Sequence, residues 1–226
     1  MTQYAYLIGD LFFALVWLIL FSHRKDLRKE MLTMSLIISP LGISEIIYYK
    51  DYWRPEFIIN TGFNFGIEDL LFCFAIGGIT AVIYEEVFDK TYSQRRDSRR
   101  PKHLLAIAAS IILFIFIGNS LLGVNSIYVT SAVMLLAGLA IIFIRHDLIK
   151  EAMMSGLLIG LAMFLFYTLY FLLLFPGIIQ KWWLLKNLSG ILLFGVPIEE
   201  ILWGFCWGFI AGPIYEFILG IKLKNK

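Results

Sequence analysis

Apolar residues in this chain come in long blocks divided by short polar punctuation, not in strict alternation. Seven blocks stand out: Tyr4–Phe21, Met31–Tyr49, Gly66–Val87, Leu104–Ile117, Ile127–Ile144, Ala152–Phe175 and Pro197–Leu219. About 20 apolar residues wound as a helix cross a hydrocarbon core of ~30 Å, and a helix satisfies its own backbone groups there. The fourth block is the shortest and reaches span length only when Ser120 and Leu121 are added. The short alternating segments of a membrane barrel are absent. The pattern predicts an all-α integral membrane protein of seven transmembrane helices.

Composition sharpens this. Hydrophobic residues make up 60% of the 226 and charged residues only 16%, against ~25% charged in soluble domains. A soluble domain, a disordered chain and a disulfide scaffold are excluded together. Cys73 and Cys206 both lie inside apolar blocks and read as small buried hydrophobes. The first block is long and lacks a basic flank before it, so it reads as a span and not as a cleavable signal. The net charge of +2 hides a strong asymmetry. Fifteen Lys and Arg residues fall in the segments after the first, third and fifth spans and in the tail, including the run from Arg95 to Lys102. The opposite side has four: Lys50, Arg54, Lys181 and Lys186. The positive-inside rule then predicts a multi-pass cell-membrane protein with its N-terminus outside and its C-terminus in the cytoplasm. Tyr48, Tyr49, Tyr52, Trp53, Trp182 and Trp183 are expected as anchors at the outer interface, and the Arg95–Lys102 run as a solvated loop near lipid headgroups.

The chain also repeats itself. Arg24, Asp26, Leu27, Lys29 and Glu30 match Arg145, Asp147, Leu148, Lys150 and Glu151 at an offset of 121. Residues 66–87 match 197–218 at an offset of 131, with nine of the 22 pairs identical, where chance would give one or two. Glu68 pairs with Glu199, Asp69 with Glu200, Tyr84 with Tyr215 and Glu85 with Glu216. Ten extra residues are therefore expected before the last span, within Gly177–Leu188. The predicted organisation is a first three-helix repeat (1–90), a basic loop and linker helix (91–124) and a second three-helix repeat (125–226). One linker span restores orientation, so the repeats are parallel, a 3+1+3 plan about an axis along the membrane normal.

Acids inside membrane spans are costly and usually functional. Glu68 and Asp69 occupy the first turn of span three, Glu199 and Glu200 that of span seven, and Glu45 lies at a similar level near the end of span two. Acids in a first turn also complement the helix dipole, which is the plainer explanation. Against it, the repeat keeps an acidic pair at one depth in both copies. Carboxylates gathered in a dry pocket cannot all ionise, so one can hold a proton beside an ionised neighbour. Such a pair can protonate an apolar molecule and then stabilise the cation formed. Glu85 and Glu216, at the other ends of their helices, are expected to form ion pairs with the loops carrying Arg24 and Arg145. Gly204, Gly208 and Gly212 share one stripe, and Gly77 and Gly78 lie in span three, as close helix packing requires. Phe72, Phe74, Trp203, Phe205 and Trp207 either fill the core or line the acid pocket, where they would hold a conjugated or cationic ligand.

No dinucleotide or phosphate loop is present, and His23, His103 and His146 are too scattered for a metal site. Nothing beyond charge suggests nucleic acid. The chemistry must therefore rest on carboxylates, tyrosines and shape.

At GIEDLLFCFAIGGITAVIYEE and GVPIEEILWGFCWG the sequence resembles the membrane carotenoid cyclase family, the heterodimeric or fused lycopene cyclase domains. These carry a Pro-x-Glu-Glu/Asp motif in each of two three-helix units. SEIIYYKDYWRPE is similar to the acidic, tryptophan-containing stretch preceding the first motif. Two departures are visible. Gly66 stands where the first motif usually has proline, and Trp203 and Gly204 follow the second in place of a phenylalanine run. The resemblance implies a redox-neutral cyclase acting on a linear carotenoid such as lycopene. Glu68, Asp69, Glu199, Glu200 and Glu45 would be the catalytic set, with Glu199 and Glu68 foremost. Trp53, Phe72, Phe74, Trp203 and Phe205 would bind substrate. It implies no metal and no cofactor, with a reduced flavin left open, and membrane lipids as surroundings. Homo-oligomerisation is compatible with it. Two other readings stay open on the residues alone: a small 3+1+3 transporter, and a non-catalytic carotenoid- or lipid-binding membrane protein.

Overall fold

The computed structural model describes residues 2–59, 61–98 and 101–226. Six helical stretches are long and apolar enough to cross a membrane: Thr2–His23, Arg28–Asp51, Ile67–Val87, Ser126–Ile144, His146–Leu172 and Ile198–Leu219. The seventh apolar helix, Leu105–Leu121, is shorter, as the fourth block is in the sequence. The core of each stretch is an α-helix: α1 (Ala5–His23), α2 (Arg28–Ile38), the short α3 (Glu45–Asp51), α4 (Ile67–Val87), α5 (Pro101–Ile115), α6 (Ser126–Ile144), α7 (Ile149–Phe166), α8 (Ile178–Trp182), α9 (Ile198–Ala211) and α10 (Ile214–Leu219). Pro40 turns the second span through a 3-10 segment, Ser39–Ser44, before α3. Pro213, which lacks an N–H, separates α9 from α10.

The same pairings recur in both halves. α1 and α2 pack on α4, and α6 and α7 pack on α9, while α4 touches both α7 and α9 across the middle. The glycine stripe sets the α7–α9 distance. A Cβ on Gly208 would come within 2.9 Å of the Gly156 Cα, and one on Gly204 within 3.0 Å of Met163. α5 lies against α6 and α10.

The repeated Arg-x-Asp motif has one job in both copies. Arg24 grips Asp26 with Nε and Nη2 (3.0 and 2.9 Å), and its Nη1 donates to the Glu85 carbonyl at the end of α4 (2.9 Å). Arg145 grips Asp147 (2.7 and 2.6 Å) and donates to the Glu216 carbonyl (3.3 Å). A bidentate fork on a carboxylate combined with a cation at a helix C-terminal carbonyl is a strong local arrangement. Hydrogen bonding to Arg24 holds the Asp26 carboxyl down at about 2. The fork's contribution is therefore complete above the ordinary carboxylate range and is lost only as pH falls through that value.

The fold is helical as expected, with two short ribbons added: β1 (Lys90–Arg96) pairs antiparallel with β4 (Ile221–Asn225), and β2 (Leu192–Leu193) with β3 (Val196–Pro197). Three expectations are corrected. The start of the basic run is accordingly strand, because the C-terminal tail supplies the backbone partners. Arg99 and Arg100, and the side chains of Arg95 and Arg96, lie outside the described residues. Tyr52, Trp182 and Trp183 are buried and do not lie at a lipid interface. Residues 52–54 and 182–184 pair across the middle of the molecule, with Arg54 N donating to Trp182 O (2.7 Å) and Leu184 N to Tyr52 O (2.8 Å). Trp53 packs on Trp183 at 5.0 Å, so these rings close one end of the bundle. Finally, the ion pairs of Arg24 and Arg145 run to Asp26, Glu86, Asp97 and Asp147, not to the Glu85 and Glu216 side chains.

Asp51 ties the same end together. Its carboxylate accepts from Asn119 after the linker helix (2.8 Å) and from Ser126 Oγ at the start of α6 (2.6 Å). Gly208→Val should force α7 and α9 apart and cost about 1–3 kcal/mol, read as a lower thermal midpoint in detergent. Leu157→Ala, on an exposed face of α7, should leave that midpoint nearly unchanged.

Candidate active site

A cavity of about 660 Å³ lies between the two halves. Asp10, Glu45, Asp69 and Glu200 line it together with Tyr6, Tyr48, Tyr52 and Tyr167. All four acids are at least 93% buried. The rest of the wall is mostly apolar and aromatic, including Phe13, Phe72, Phe166, Trp203 and Trp207. Its size falls within the ~300–1,000 Å³ usual for ligand pockets.

Each acid reaches the cavity for a local reason. Asp69 is the third residue of α4. Its Oδ2 accepts from the Gly66 N–H (2.7 Å), the return half of a capping box, and its Oδ1 accepts from Tyr6 on α1 (2.6 Å). Glu200 holds the matching place in α9, but the residue before that helix is Pro197, which has no N–H to offer. Glu200 turns instead to the central seam. Its Oε1 accepts from Trp183 Nε1 (2.5 Å) and from the Tyr52 hydroxyl, and Tyr167 bonds it from α7's end. Glu45 opens α3, beside the Trp53 indole, with Oε1 unpartnered among the described residues. Asp10 projects from α1 with Oδ2 unpartnered.

Glu68 and Glu199 go elsewhere. Each accepts at Oε1 from a backbone N–H ten residues upstream, Ile58 for Glu68 (2.7 Å) and Ser189 for Glu199 (2.7 Å), and Tyr128 also donates to Glu199 (2.8 Å). Neither lines the 660 Å³ cavity; both pin the segment that leads into their helix. The adjacent positions of each pair are about 100° apart on a helix, and it is the second acid of each that faces the chamber, while the first is buried against its upstream loop. The loop before Glu199 is shaped by the β2–β3 hairpin, whose two central residues, Phe194 (φ 50°) and Gly195 (φ 89°), both have positive φ as a type I′ turn requires.

Among the predicted aromatic residues, Trp53, Phe72 and Trp203 line the cavity. Phe74 packs on Trp17 (5.2 Å), and Phe205 stacks on Phe209 (5.8 Å) against Gly156, both outside the lining. Asp10 and Tyr6 were not singled out from sequence. The signal was there: Asp10 is an ionisable residue near the middle of an apolar block, the situation that by default marks a functional site.

The fold and site define a multi-pass helical membrane protein with an acid-lined, otherwise apolar chamber between duplicated halves. Residues 125–218 match the family model described as lycopene cyclase. No curated protein and no solved structure gives a match.

The donors around Glu200 generate a prediction. Trp183→Phe or Tyr52→Phe leaves a buried carboxylate short of a partner, at a cost of about 1–3 kcal/mol each. A thermal midpoint that does not move in either variant would show that Glu200 does not depend on them.

Proposed function

We propose that the protein is a redox-neutral carotenoid cyclase whose working acids are those facing the chamber. The observation that carries this is the chamber itself, with four buried acids set in an apolar, aromatic wall, in a chain whose second half matches the lycopene cyclase family. On this reading a linear carotenoid such as lycopene inserts one end group. A protonated carboxyl transfers its proton to the terminal double bond. The tertiary cation is attacked by an internal double bond, forming the carbon–carbon bond that closes a six-membered ring. An ionised carboxylate then takes a proton from the ring. One proton enters and one leaves, no electrons change hands, and substrate and product are isomers.

Hydrogen bonding supports a division of roles. Asp69 and Glu200 are surrounded by O–H and N–H donors, which suits acceptors that are ionised. Glu45 and Asp10 each keep an oxygen with no donor facing it, which suits a carboxyl carrying its own proton. Glu45 or Asp10 is therefore the acid, and Asp69 or Glu200 the base. Glu68 and Glu199 position the loops over the chamber. Trp53, Phe72, Trp203 and Trp207 present ring faces to the cation.

The wall also suggests how a lipid-soluble substrate arrives. Ile37 and Leu41 of the second span and Ile112 and Phe116 of the linker helix line the chamber, yet all four are at least half exposed on the outer face. The chamber is thus open sideways between these elements, toward the lipid. The 3+1+3 plan, with the N-terminus outside, makes α5 the side wall of this opening and puts the acids near the outer leaflet.

Two experiments test the proposal in lycopene-producing cells. Pigment conversion should occur with the wild-type chain and fall about 100-fold or more in Asp69→Asn and Glu200→Gln. Glu68→Gln and Glu199→Gln should lose less. Unconverted lycopene with the wild-type protein would refute the activity. Ala108→Trp, which projects a ring into the side opening, should depress conversion at low substrate far more than at saturation. An equal loss at both would place access elsewhere.

A further inference from the structure

A second group of acids lies at the other end of the bundle, where the cyclase reading makes no use of it. Glu30 on α2, Glu85 on α4, Glu151 on α7 and Glu216 on α10 are each at least 97% buried. They are two repeat pairs, Glu30 with Glu151 and Glu85 with Glu216, so both halves contribute equally. Glu85 lies 16 residues along α4 from Asp69, or ~24 Å at 1.5 Å per residue. This group is therefore separate from the chamber acids.

Among the described residues no ion pair within 4 Å reaches these carboxylates. Arg24 and Arg145 are adjacent but give their nearest N–H groups to the backbone carbonyls of Glu85 and Glu216, and their ion pairs go to other acids. Both carboxylate oxygens of Glu85 and Oε1 of Glu30 have no hydrogen-bond donor among the described residues, and Glu151 and Glu216 have only each other, close enough to share a proton. The other Glu30 oxygen accepts from Tyr92 of β1 (2.5 Å). Uncompensated carboxylates inside a protein cost several kcal/mol each, so a set conserved in position by both repeats requires something to offset it.

The geometry points to a cation. One oxygen from each of Glu85, Glu151 and Glu216 can be chosen so that all three lie within 4.8 Å of one another. We propose that these three carboxylates, with Glu30 beside them, bind a hard divalent cation that joins the two halves. The donors are all oxygen, with no histidine or thiol among them, which favours Ca²⁺, Mg²⁺ or Mn²⁺ over zinc or copper. Three ligands spaced evenly around one Ca²⁺ at 2.3–2.6 Å stand about 4.0–4.5 Å apart, so oxygens within 4.8 Å of one another need to move little to take Ca²⁺. At 2.0–2.1 Å, Mg²⁺ would draw the oxygens slightly inward. The ion would cancel two negative charges, and protons on the remaining carboxyls would balance the rest. The β1–β4 ribbon, which carries Tyr92, covers the site.

The test uses the full-length protein purified in detergent, stripped with EDTA and titrated with Mn²⁺ while free Mn²⁺ is read by electron paramagnetic resonance. One Mn²⁺ should bind per chain, be displaced by Ca²⁺ or Mg²⁺, and raise the thermal midpoint. Glu85→Gln and Glu216→Gln should each weaken binding at least 10-fold, whereas Glu56→Gln, which removes a carboxylate paired with Lys181 and outside this group, should not. Folded wild-type protein that takes up no Mn²⁺, or that melts at one temperature in EDTA and in Ca²⁺, would overturn the site and leave protons as the neutralising species. Should a Glu→Gln variant fail to fold, the wild-type stoichiometry and melting shift decide the matter alone. Cyclase activity is not a readout, so the two proposals stand or fall separately.

Discussion

A carboxylate inside a membrane bundle must be given donors, a proton or a counter-ion, because neither lipid nor an apolar core supplies water. Much of this structure is arranged around that requirement. The Arg-x-Asp forks meet it at the loops, where Arg24 and Arg145 each bind an acid and a helix end at once. The backbone of residues 58 and 189 meets it for Glu68 and Glu199. The tryptophan and tyrosine seam at residues 52–54 and 182–184 meets it for Glu200. Where a carboxylate oxygen is left without a donor among the described residues, at Glu45, Asp10 and the four-acid group, chemistry or an ion is the natural occupant of the gap.

The duplicated sequence explains why these solutions come in pairs. Two copies of one unit, packed face to face through α4, α7 and α9, place equivalent residues around a shared middle. Any acid facing that middle meets its own counterpart. Repulsion between the counterparts is unavoidable, and the halves can associate only if that repulsion is offset. The chamber does so with hydroxyl and indole groups, and the opposite end, whose flanking arginines are engaged with other acids, calls for the cation proposed there.

The helical blocks, the duplication and the glycine stripe were legible because each is a period or a composition that the chain displays directly. Gly208, for example, lies four residues from Gly204 and from Gly212, and that spacing alone implies close contact along one face. What the chain hides is direction. Glu68 and Asp69 are neighbours in sequence, yet one turns to a loop and the other to the chamber, and only helix phase and the upstream backbone decide which. The burial of Trp182 and Trp183 was equally hidden. An aromatic pair at the end of an apolar block suits an interface belt, and only the strand-like pairing with residues 52–54 draws it inside. The β1–β4 ribbon depends on a tail more than 120 residues away, which no local pattern reports.

Near-symmetry in sequence also conceals an asymmetry in chemistry. Gly66 retains an N–H, and Asp69 is short enough to bend back and bond it, so this acid is held by its own helix. Pro197 offers no N–H, and Glu200 is one methylene longer, so that acid extends to the seam between the halves. The glycine that departs from the expected motif is therefore a means of making two equivalent carboxylates unlike. In the proposed cyclase both carboxylates are acceptors, and the asymmetry leaves Asp69 held by donors of its own half while Glu200 also takes one, Tyr52, from the other half, so that only Glu200 links the chamber to the seam between the repeats.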